Sequence, residues 1–169
     1  MMRLKAGPLP LRTTPVELSD VIGSALRRAS TVLAAHRTEV RLQPDLSMPD
    51  LDDVLFEQVL FNLLDNAGKY SPAGSLVTIS AWQVYLQVMD EGPGSPSADL
   101  EHVFDKFYRV GGADRRRAGT GLGLAVCRGF VEAMHGTITA ANRNGRAGTV
   151  FTVTLPVAAS AGRPTETVA

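Results

Sequence analysis

The stretch FNLLDNAGKYSP, residues 61–72, places two asparagines four positions apart within an apolar helical pattern. Residues four apart lie on one face of a helix, so Asn62 and Asn66 share a face. Asparagine competes with the helix backbone for hydrogen bonds and lowers helix propensity, and an amide removed from water needs a polar partner. The pair therefore predicts a helix face that either meets water or holds a ligand.

The overall composition predicts one soluble globular domain. The chain has 169 residues, of which 44% are hydrophobic and 20% charged, as is usual for such domains. Its 17 basic and 17 acidic residues cancel, which gives no reason to expect nucleic acid or an acidic lipid surface as a partner. The single cysteine, Cys127, excludes an internal disulfide. No apolar run approaches the ~20 residues of a membrane helix, and no signal core is visible. We therefore expect a cytoplasmic location, with membrane attachment only through a partner.

Hydrophobic periodicity predicts an alternation of helices and paired strands. Helices are expected at 15–35, from about 52 through 64, at 100–107 and at 122–134, and strands at 39–43, 75–81, 84–90, 136–142 and 148–156. Pro15 is expected to open the first helix, and Asp50 or Asp52 to cap the second. This pattern predicts an α/β fold, a two-layer sandwich in which three helices cover one face of a mixed, mostly antiparallel sheet.

The expected domain boundaries follow from the same pattern. Residues 1–14 are interpreted as a linker, 15–157 as the domain, and the polar segment 158–169 as a disordered tail.

The asparagine helix carries groups suited to a nucleotide. An amide oxygen such as that of Asn66 is a suitable ligand for Mg²⁺. Lys69 can place a point charge on a phosphate, and Tyr70 offers a flat face on which a base can stack. The alternative for this stretch alone is a helix end with capping polar groups.

The second candidate is DEGPG, residues 90–94, which directly follows an apolar strand. The Asp90 carboxylate can accept a hydrogen bond from the exocyclic amine of adenine. Gly92 and Gly94 permit positive φ and the close approach of a flat ligand. The alternative is an ordinary turn.

The third candidate is GTGLGLAV, residues 119–126, where alternate glycines lead into a helix. Backbone N–H groups and the helix dipole favour phosphate at such a position, although the spacing is neither that of a P-loop nor that of a dinucleotide fingerprint. Upstream, in FDKFYR at 104–109, Phe104 and Phe107 can anchor a short helix, and the Arg109 guanidinium can donate several hydrogen bonds to whatever the following loop covers. The three arginines of the loop between these motifs are interpreted as a solvated charged surface, although lids over active sites are often built in this way, with glycines at both ends.

Together these four stretches resemble the catalytic ATP-binding domain of bacterial sensor histidine kinases, within the ATPase fold shared with gyrase, a heat-shock chaperone and mismatch-repair proteins. NLLDNAGKY is similar to the family's N box, DEGPG to its G1 box, FDKFYR to its F box and GTGLGLAV to its G2 box. The resemblance covers about residues 7–156, and CRGFVEAMHGTITAANR further resembles potassium-responsive Kdp-type kinases.

The resemblance implies a role for each candidate residue, with ATP and Mg²⁺ as the bound species. Asn66 is expected to bind Mg²⁺ with Asn62 close by, and Lys69 to contact phosphate. The expected adenine contacts are Tyr70, Asp90, Gly92 and Gly94. Arg109 is expected on the γ-phosphate side, and the residues expected to hold the phosphates are Gly119, Thr120, Gly121, Leu122 and Gly123.

The resemblance also implies the reaction type. In hydrolysing relatives a glutamate stands at the position of Asn62 and activates water, whereas an amide cannot act as a general base. We therefore expect weak ATP hydrolysis and transfer of the γ-phosphoryl group to a histidine. His36, His102 and His135 are interpreted as surface residues or helix ends and not as acceptors, so the acceptor is expected in trans or on a missing domain.

Two departures from the family pattern bear on the base pocket. The position after the G1 box is usually apolar and here is Ser95, and the hairpin at Trp82 and Gln83 is shorter than usual. Both are expected to weaken the pocket or to loosen the lid.

Three functions stay open at the level of sequence. The first is a histidine kinase catalytic unit, either a cut domain or a free-standing subunit, which acts on a partner that carries the acceptor histidine and signals to a response regulator. The second is a non-catalytic nucleotide-binding module that regulates a kinase, and the third is a serine kinase of the anti-sigma type. Because the family dimerises through a helical hairpin that is missing here, we expect a monomer.

Overall fold

The structure is a computed structural model that describes residues 10–100, 102–105 and 123–156. Its strands are β1 (Thr14–Pro15), β2 (Arg37–Leu42), β3 (Asp50–Leu51), β4 (Leu76–Trp82), β5 (Tyr85–Met89), β6 (Thr137–Asn142) and β7 (Thr149–Thr154). Its helices are α1 (Leu18–Arg28), α2 (Asp53–Tyr70), α3 (Ser97–Leu100) and α4 (Gly123–Ala133). None of the helices in these ranges is long and apolar enough to cross a membrane.

Five of the strands form one sheet in the order β2-β4-β5-β7-β6. The β2–β4 pair is parallel, and the other three neighbouring pairs are antiparallel. The mixed, mostly antiparallel sheet expected from the sequence is therefore confirmed.

The core lies between this sheet and a layer of helices. Alternate residues of the central strands are buried, as period-two patterning requires; they include Val77, Ile79, Leu86, Val88 and Phe151. Helix α2 packs against β4 and β5, α4 packs against β6, and both α1 and α4 pack against α2. This arrangement is the predicted two-layer sandwich, and it places α2 at the centre of the helical layer.

The start of α2 is fixed by Asp52, one of the two predicted caps. Its Oδ1 accepts hydrogen bonds from the N–H groups of Val54 and Leu55, both at 3.1 Å, which satisfies donors that the first helical turn leaves unpaired. Its Oδ2 accepts from the N–H of Arg12 at 3.0 Å, so the same carboxylate also holds the leading segment.

The predicted first helix, residues 15–35, was wrong at both ends. Pro15 pairs with Asp50 in a two-stranded sheet, and α1 begins only at Leu18 and ends at Arg28. Residues 29–35 form turns in which Leu33 is nevertheless buried. The apolar pattern reflected burial of these turns against the core rather than a continuous helix.

Two other boundaries also differ. The short helix expected at 100–107 lies earlier, at Ser97–Leu100, with Pro96 supplying its first carbonyl acceptor. The turn between β4 and β5 is at Gln83 and Val84, one position later than expected, and Gln83 takes a φ of 51°.

The single cysteine lies inside this core. Cys127 on α4 is fully buried, and burial raises the pKa of its thiol to about 12. Since the thiolate is the reactive form, we expect Cys127 to resist a thiol reagent such as dithionitrobenzoate in the folded protein and to react fully after unfolding in guanidinium. Rapid labelling under native conditions would contradict this packing of α4 on α2.

Candidate functional site

Helix α2 brings together motifs that are far apart in the sequence. At one point of α2 the Asn62 Nδ2 donates a 3.0 Å hydrogen bond to the carbonyl of Gly123, the first residue of α4. Two turns further on, the Tyr70 carbonyl oxygen packs so closely on Gly92 that a Cβ there would lie 2.6 Å from it. Asn66 lies between these two contacts, four residues from each of them. The structure thus places part of the N-box, G1 and G2 stretches around one helix.

The Asn62 amide is already engaged by protein. Gln58 Nε2 donates to its Oδ1 at 2.8 Å, while its Nδ2 is used by Gly123 as described above. Because an amide oxygen has a second lone pair, Asn62 can still accept one further contact. A groove with a volume of about 640 Å³ opens beside it, lined by apolar side chains that include Leu55, Val126 and Phe130 and by an equal number of polar or charged ones.

The Asn66 amide has a different environment. The residue is half-buried, and its side chain makes no hydrogen bond to the described part of the chain. A half-buried amide that lacks a protein partner must be satisfied by water or by a ligand. Asn66 is therefore the residue of the predicted pair that is available to bind something.

The donor set limits which metal this site could take. Within residues 10–100, 102–105 and 123–156 there is no cluster of three or more histidine, cysteine, aspartate or glutamate side chains that could hold an ion. Mg²⁺ commonly binds through one or two protein oxygens while phosphate oxygens and water complete its shell. The Asn66 oxygen fits an ion that arrives with a triphosphate and does not fit a resident metal.

Lys69 is turned toward a neighbour on its own helix. Its Nζ lies 2.9 Å from Asp65 Oδ2, an i,i+4 pair in which the lysine side chain is 40% exposed. Exposed pairs of this kind contribute roughly 0–1 kcal/mol, so a phosphate can compete for the lysine at low cost.

Asp90 lies in the turn that follows β5, as predicted, and is only 3% exposed. Its Oδ1 accepts hydrogen bonds from the N–H groups of Gly92, at 2.8 Å, and Thr149, at 3.2 Å. Its Oδ2 has no hydrogen-bond partner among the described residues. One carboxylate oxygen is thus fixed by backbone donors, and the other is left for a ligand.

The electrostatics of Asp90 are dominated by burial. Burial raises the pKa of the carboxyl above its usual value, while the hydrogen bonds from Gly92 and Thr149 and the charge of Arg143 act in the opposite direction. A desolvated carboxylate is a strong hydrogen-bond acceptor, so its open oxygen favours a donor such as an exocyclic amine.

The two glycines of DEGPG are both required, for different reasons. Gly94 has a φ of 77°, which other residues rarely adopt. Gly92 is required because the Tyr70 carbonyl occupies the space of a side chain. The close approach predicted for a flat ligand is, at Gly92, an approach of the protein's own backbone.

Sequence reasoning missed the β6–β7 hairpin as part of this site. Asn142 makes two hydrogen bonds with the backbone of Ser95, and Arg143 Nη1 donates to the Asp90 carbonyl at 3.3 Å. Gly148 packs against the same carbonyl. The glycines of this hairpin were visible in the sequence, but nothing there indicated which loop the hairpin would contact.

Several predicted site residues lie outside the described residues. These are Arg109, Gly119, Thr120, Gly121 and Leu122, together with the arginine-rich loop. Of the F box, Phe104 is described and buried, with its ring 6.0 Å from that of Phe151. Phe104 lies in a turn and not in the short helix that it was expected to anchor, and Phe107 lies outside the described residues.

The histidines differ in their surroundings. His102 and His135 are exposed, as expected. His36 is half-buried, contrary to the expectation of a surface residue; its Nε2 lies 3.2 Å from the Ser71 carbonyl, and its Nδ1 is buried without a hydrogen-bond partner among the described residues.

Comparisons with known proteins agree with this geometry. Residues 51–159 match the family described as histidine kinase-, DNA gyrase B-, and HSP90-like ATPase. The chain is 40% identical over 160 residues to the sensor protein KdpD of Escherichia coli K12, and 36% identical over 162 residues to KdpD of Clostridium acetobutylicum. In both cases 92% of this chain is covered, but it spans only 18% of the relative's length.

A solved structure is similar over nearly the whole chain. The full-length ShkA structure in complex with AMPPNP matches with a TM-score of 0.76 and 26% identity, over 92% of this chain and 33% of that one.

Proposed function

Because the chain belongs to the family of histidine kinase-, DNA gyrase B- and HSP90-like ATPases, we propose that it is the ATP-binding catalytic unit of a two-component sensor histidine kinase. It transfers the γ-phosphoryl group of ATP to a histidine on a phosphoacceptor domain or protein, which then serves a response regulator. The observation that carries this proposal is the half-buried Asn66, which has no described protein partner and lies between the Asn62–Gly123 and Tyr70–Gly92 contacts.

The base binds at the Asp90 end of the site. Asp90 Oδ2 accepts a hydrogen bond from the exocyclic amine of adenine, since Oδ1 is held by Gly92 and Thr149. Gly92 and Gly94 shape the pocket, and Tyr70 packs on the ring.

The phosphates bind along α2 toward the start of α4. Asn66, with Asn62 close by, holds Mg²⁺, which when bound neutralises charge on the phosphate oxygens. Lys69 leaves Asp65 to contact a phosphate. The phosphates are further contacted by Gly123, at the start of α4. The other residues assigned to the phosphates lie outside the described part of the chain; they are Arg109, Gly119, Thr120, Gly121 and Leu122.

The side chain of Asn62 determines the fate of the γ-phosphoryl group. Its amide has no basic site that could remove a proton from water. Both ends of this amide are also held, by Gln58 and by Gly123. The chain therefore positions the phosphoryl group without activating water, and an imidazole nitrogen that needs no such base is the nucleophile. The groove beside Asn62 leaves room for a protein segment that carries this imidazole.

Nucleotide binding by the purified chain tests the first half of this proposal. Isothermal titration with ATP is expected to show one site whose affinity rises when Mg²⁺ is added and falls again with a chelator. If neither ATP nor ADP binds with or without Mg²⁺, the assignment of a nucleotide site is wrong.

The raised pKa of Asp90 predicts how binding depends on pH. Adenine needs the carboxylate as an acceptor, and burial raises the pKa of Asp90, so affinity for ADP falls with decreasing pH sooner than it would for an ordinary carboxyl. Titrations at successively lower pH, at values where circular dichroism shows a folded chain, check this. An affinity for ADP that stays constant down to the pH at which the chain unfolds would contradict the role of Asp90.

A further inference from the structure

The side chain of Asn142 binds the backbone of the loop that follows Asp90. Its Oδ1 accepts from the Ser95 N–H at 2.9 Å, and its Nδ2 donates to the Ser95 carbonyl at 2.7 Å. Both distances are those of good hydrogen bonds. The amide thus pairs with both backbone groups of Ser95, as a residue of a neighbouring strand would. Asn142 and Ser95 are 47 positions apart in the sequence.

The loop of residues 90–95 is held by the β6–β7 hairpin at both of its ends. At the first end the contacts are mostly made by backbone: Thr149 donates to Asp90 Oδ1 and accepts from the Asp90 N–H at 3.0 Å, and the side chain of Arg143 adds a bond to the Asp90 carbonyl. At the far end, the hydrogen bonds that reach Ser95 from the described residues come from the Asn142 side chain.

Gly94 lies within this loop, directly before Ser95. Its φ of 77° and its lack of a side chain allow the Asn142 Oδ1 to approach, because a Cβ at Gly94 would lie 2.7 Å from that oxygen. The conformation of Gly94 and the position of Asn142 are therefore mutually dependent. Removal of the amide would release a glycine that has many accessible conformations.

We propose that Asn142 is a positioning residue for the nucleotide. Its amide fixes the Gly94–Ser95 backbone at the far end of the loop that follows Asp90, so that base affinity depends on a side chain outside the four family motifs. The inference rests on the proposed function, since it assumes that this loop binds the base.

The test compares three variants by isothermal titration at a temperature well below their unfolding midpoints. Asn142→Ala is expected to bind ADP without Mg²⁺, and ATP with Mg²⁺, about tenfold more weakly than the wild type. The loss is the same for both ligands, because the defect lies at the base end and not at the metal. Asn142→Asp keeps the acceptor for the Ser95 N–H but loses the donor to the carbonyl, and it is also expected to bind more weakly.

A matched control separates this role from general structural damage. Asn144→Ala removes an exposed asparagine from the turn of the same hairpin and is expected to bind like the wild type. If Asn144→Ala loses as much affinity as Asn142→Ala, the loss comes from general damage to the hairpin and not from the contact with Ser95.

The outcomes distinguish this inference from the proposed function. If the wild type binds nucleotide and either folded Asn142 variant binds as tightly, the positioning role is overturned and the proposed function stands. If the wild type binds neither ADP nor Mg-ATP, the proposed function fails and this inference fails with it.

Discussion

Replacing Asp90 by asparagine is expected to weaken binding of ATP and ADP by about 100-fold, or roughly 3 kcal/mol. The backbone donors of Gly92 and Thr149 select the amide oxygen for the position that Oδ1 holds in the wild type. The amide nitrogen is then forced to the position of Oδ2, where it presents N–H donors to the exocyclic amine of adenine. A donor facing a donor both removes the hydrogen bond and leaves two polar groups unpaired.

The same substitution is expected to leave the fold intact. Burial raises the pKa of Asp90, so the stability linked to this group is present at low pH and is lost as the pH rises through the raised pKa. At neutral pH the carboxylate thus lowers stability, and a neutral asparagine should unfold at the same or a higher denaturant concentration. Asp45→Asn, which removes a charge from an exposed residue with a φ of 59° that asparagine tolerates, is the matched control. Wild-type ADP affinity in Asp90→Asn would contradict the assigned base site.

Replacing Asn66 by alanine is expected to remove the contribution of Mg²⁺ to ATP affinity. The side chain has no described protein partner that could compensate for the loss. Removal of an outer-shell contact already lowers metal affinity by up to about 100-fold, so removal of a direct ligand is expected to lower it on the order of 100-fold or more. Titrations of ATP with and without Mg²⁺ should then give nearly the same affinity in the variant, whereas the wild type shows a clear difference.

Two comparisons make this result specific to the metal. ADP without Mg²⁺ should bind Asn66→Ala almost as it binds the wild type, because distant sites contribute independently. Stability should not fall, since alanine is the better helix former. Asn66→Asp is expected to lose binding of Mg-ATP as well, because a carboxylate would repel the triphosphate. Retention of Mg-dependent affinity in both variants would show that Asn66 does not hold the ion.

Much of the fold could be predicted from the sequence because its signals are local. The Asp52 cap of α2, the strand that ends before Asp90 and the β6–β7 hairpin all depend on residues within a few positions of one another. The first helix was wrong for the opposite reason. Pro15 pairs with Asp50 in a strand. Val32 packs against Gly68 from a turn, so an apolar residue at this position fits the spacing of a helix although no helix is present.

In the candidate site too, local spacing predicts some features, while contacts between distant segments could not be predicted. The i,i+4 spacing of Asn62 and Asn66 predicted a shared helix face, and the same spacing also indicates the ion pair of Asp65 and Lys69. The contacts of Asn142 with Ser95 could not be predicted, because they depend on which strands become neighbours in the sheet. That order is a property of the whole chain, and no local pattern encodes it.

The role of Asn62 could be predicted only in part. An asparagine in place of a base indicates that water is not activated, and this follows from amide chemistry alone. The sequence did not indicate that Gln58 and Gly123 hold both ends of that amide.

The most direct test of the central claim is phosphotransfer from γ-labelled ATP. The purified chain would be incubated with Mg²⁺ alone, and then with candidate partners that carry an acceptor-histidine hairpin. The account predicts little release of inorganic phosphate by the chain alone, and label on the partner that is lost in acid but stable in alkali, as expected for phosphohistidine. Acid-stable label on a serine would contradict the account and indicate a serine kinase. If Mg-ATP binds but no partner becomes labelled, the result favours a regulatory nucleotide-binding module or an acceptor that is missing from the partners tested.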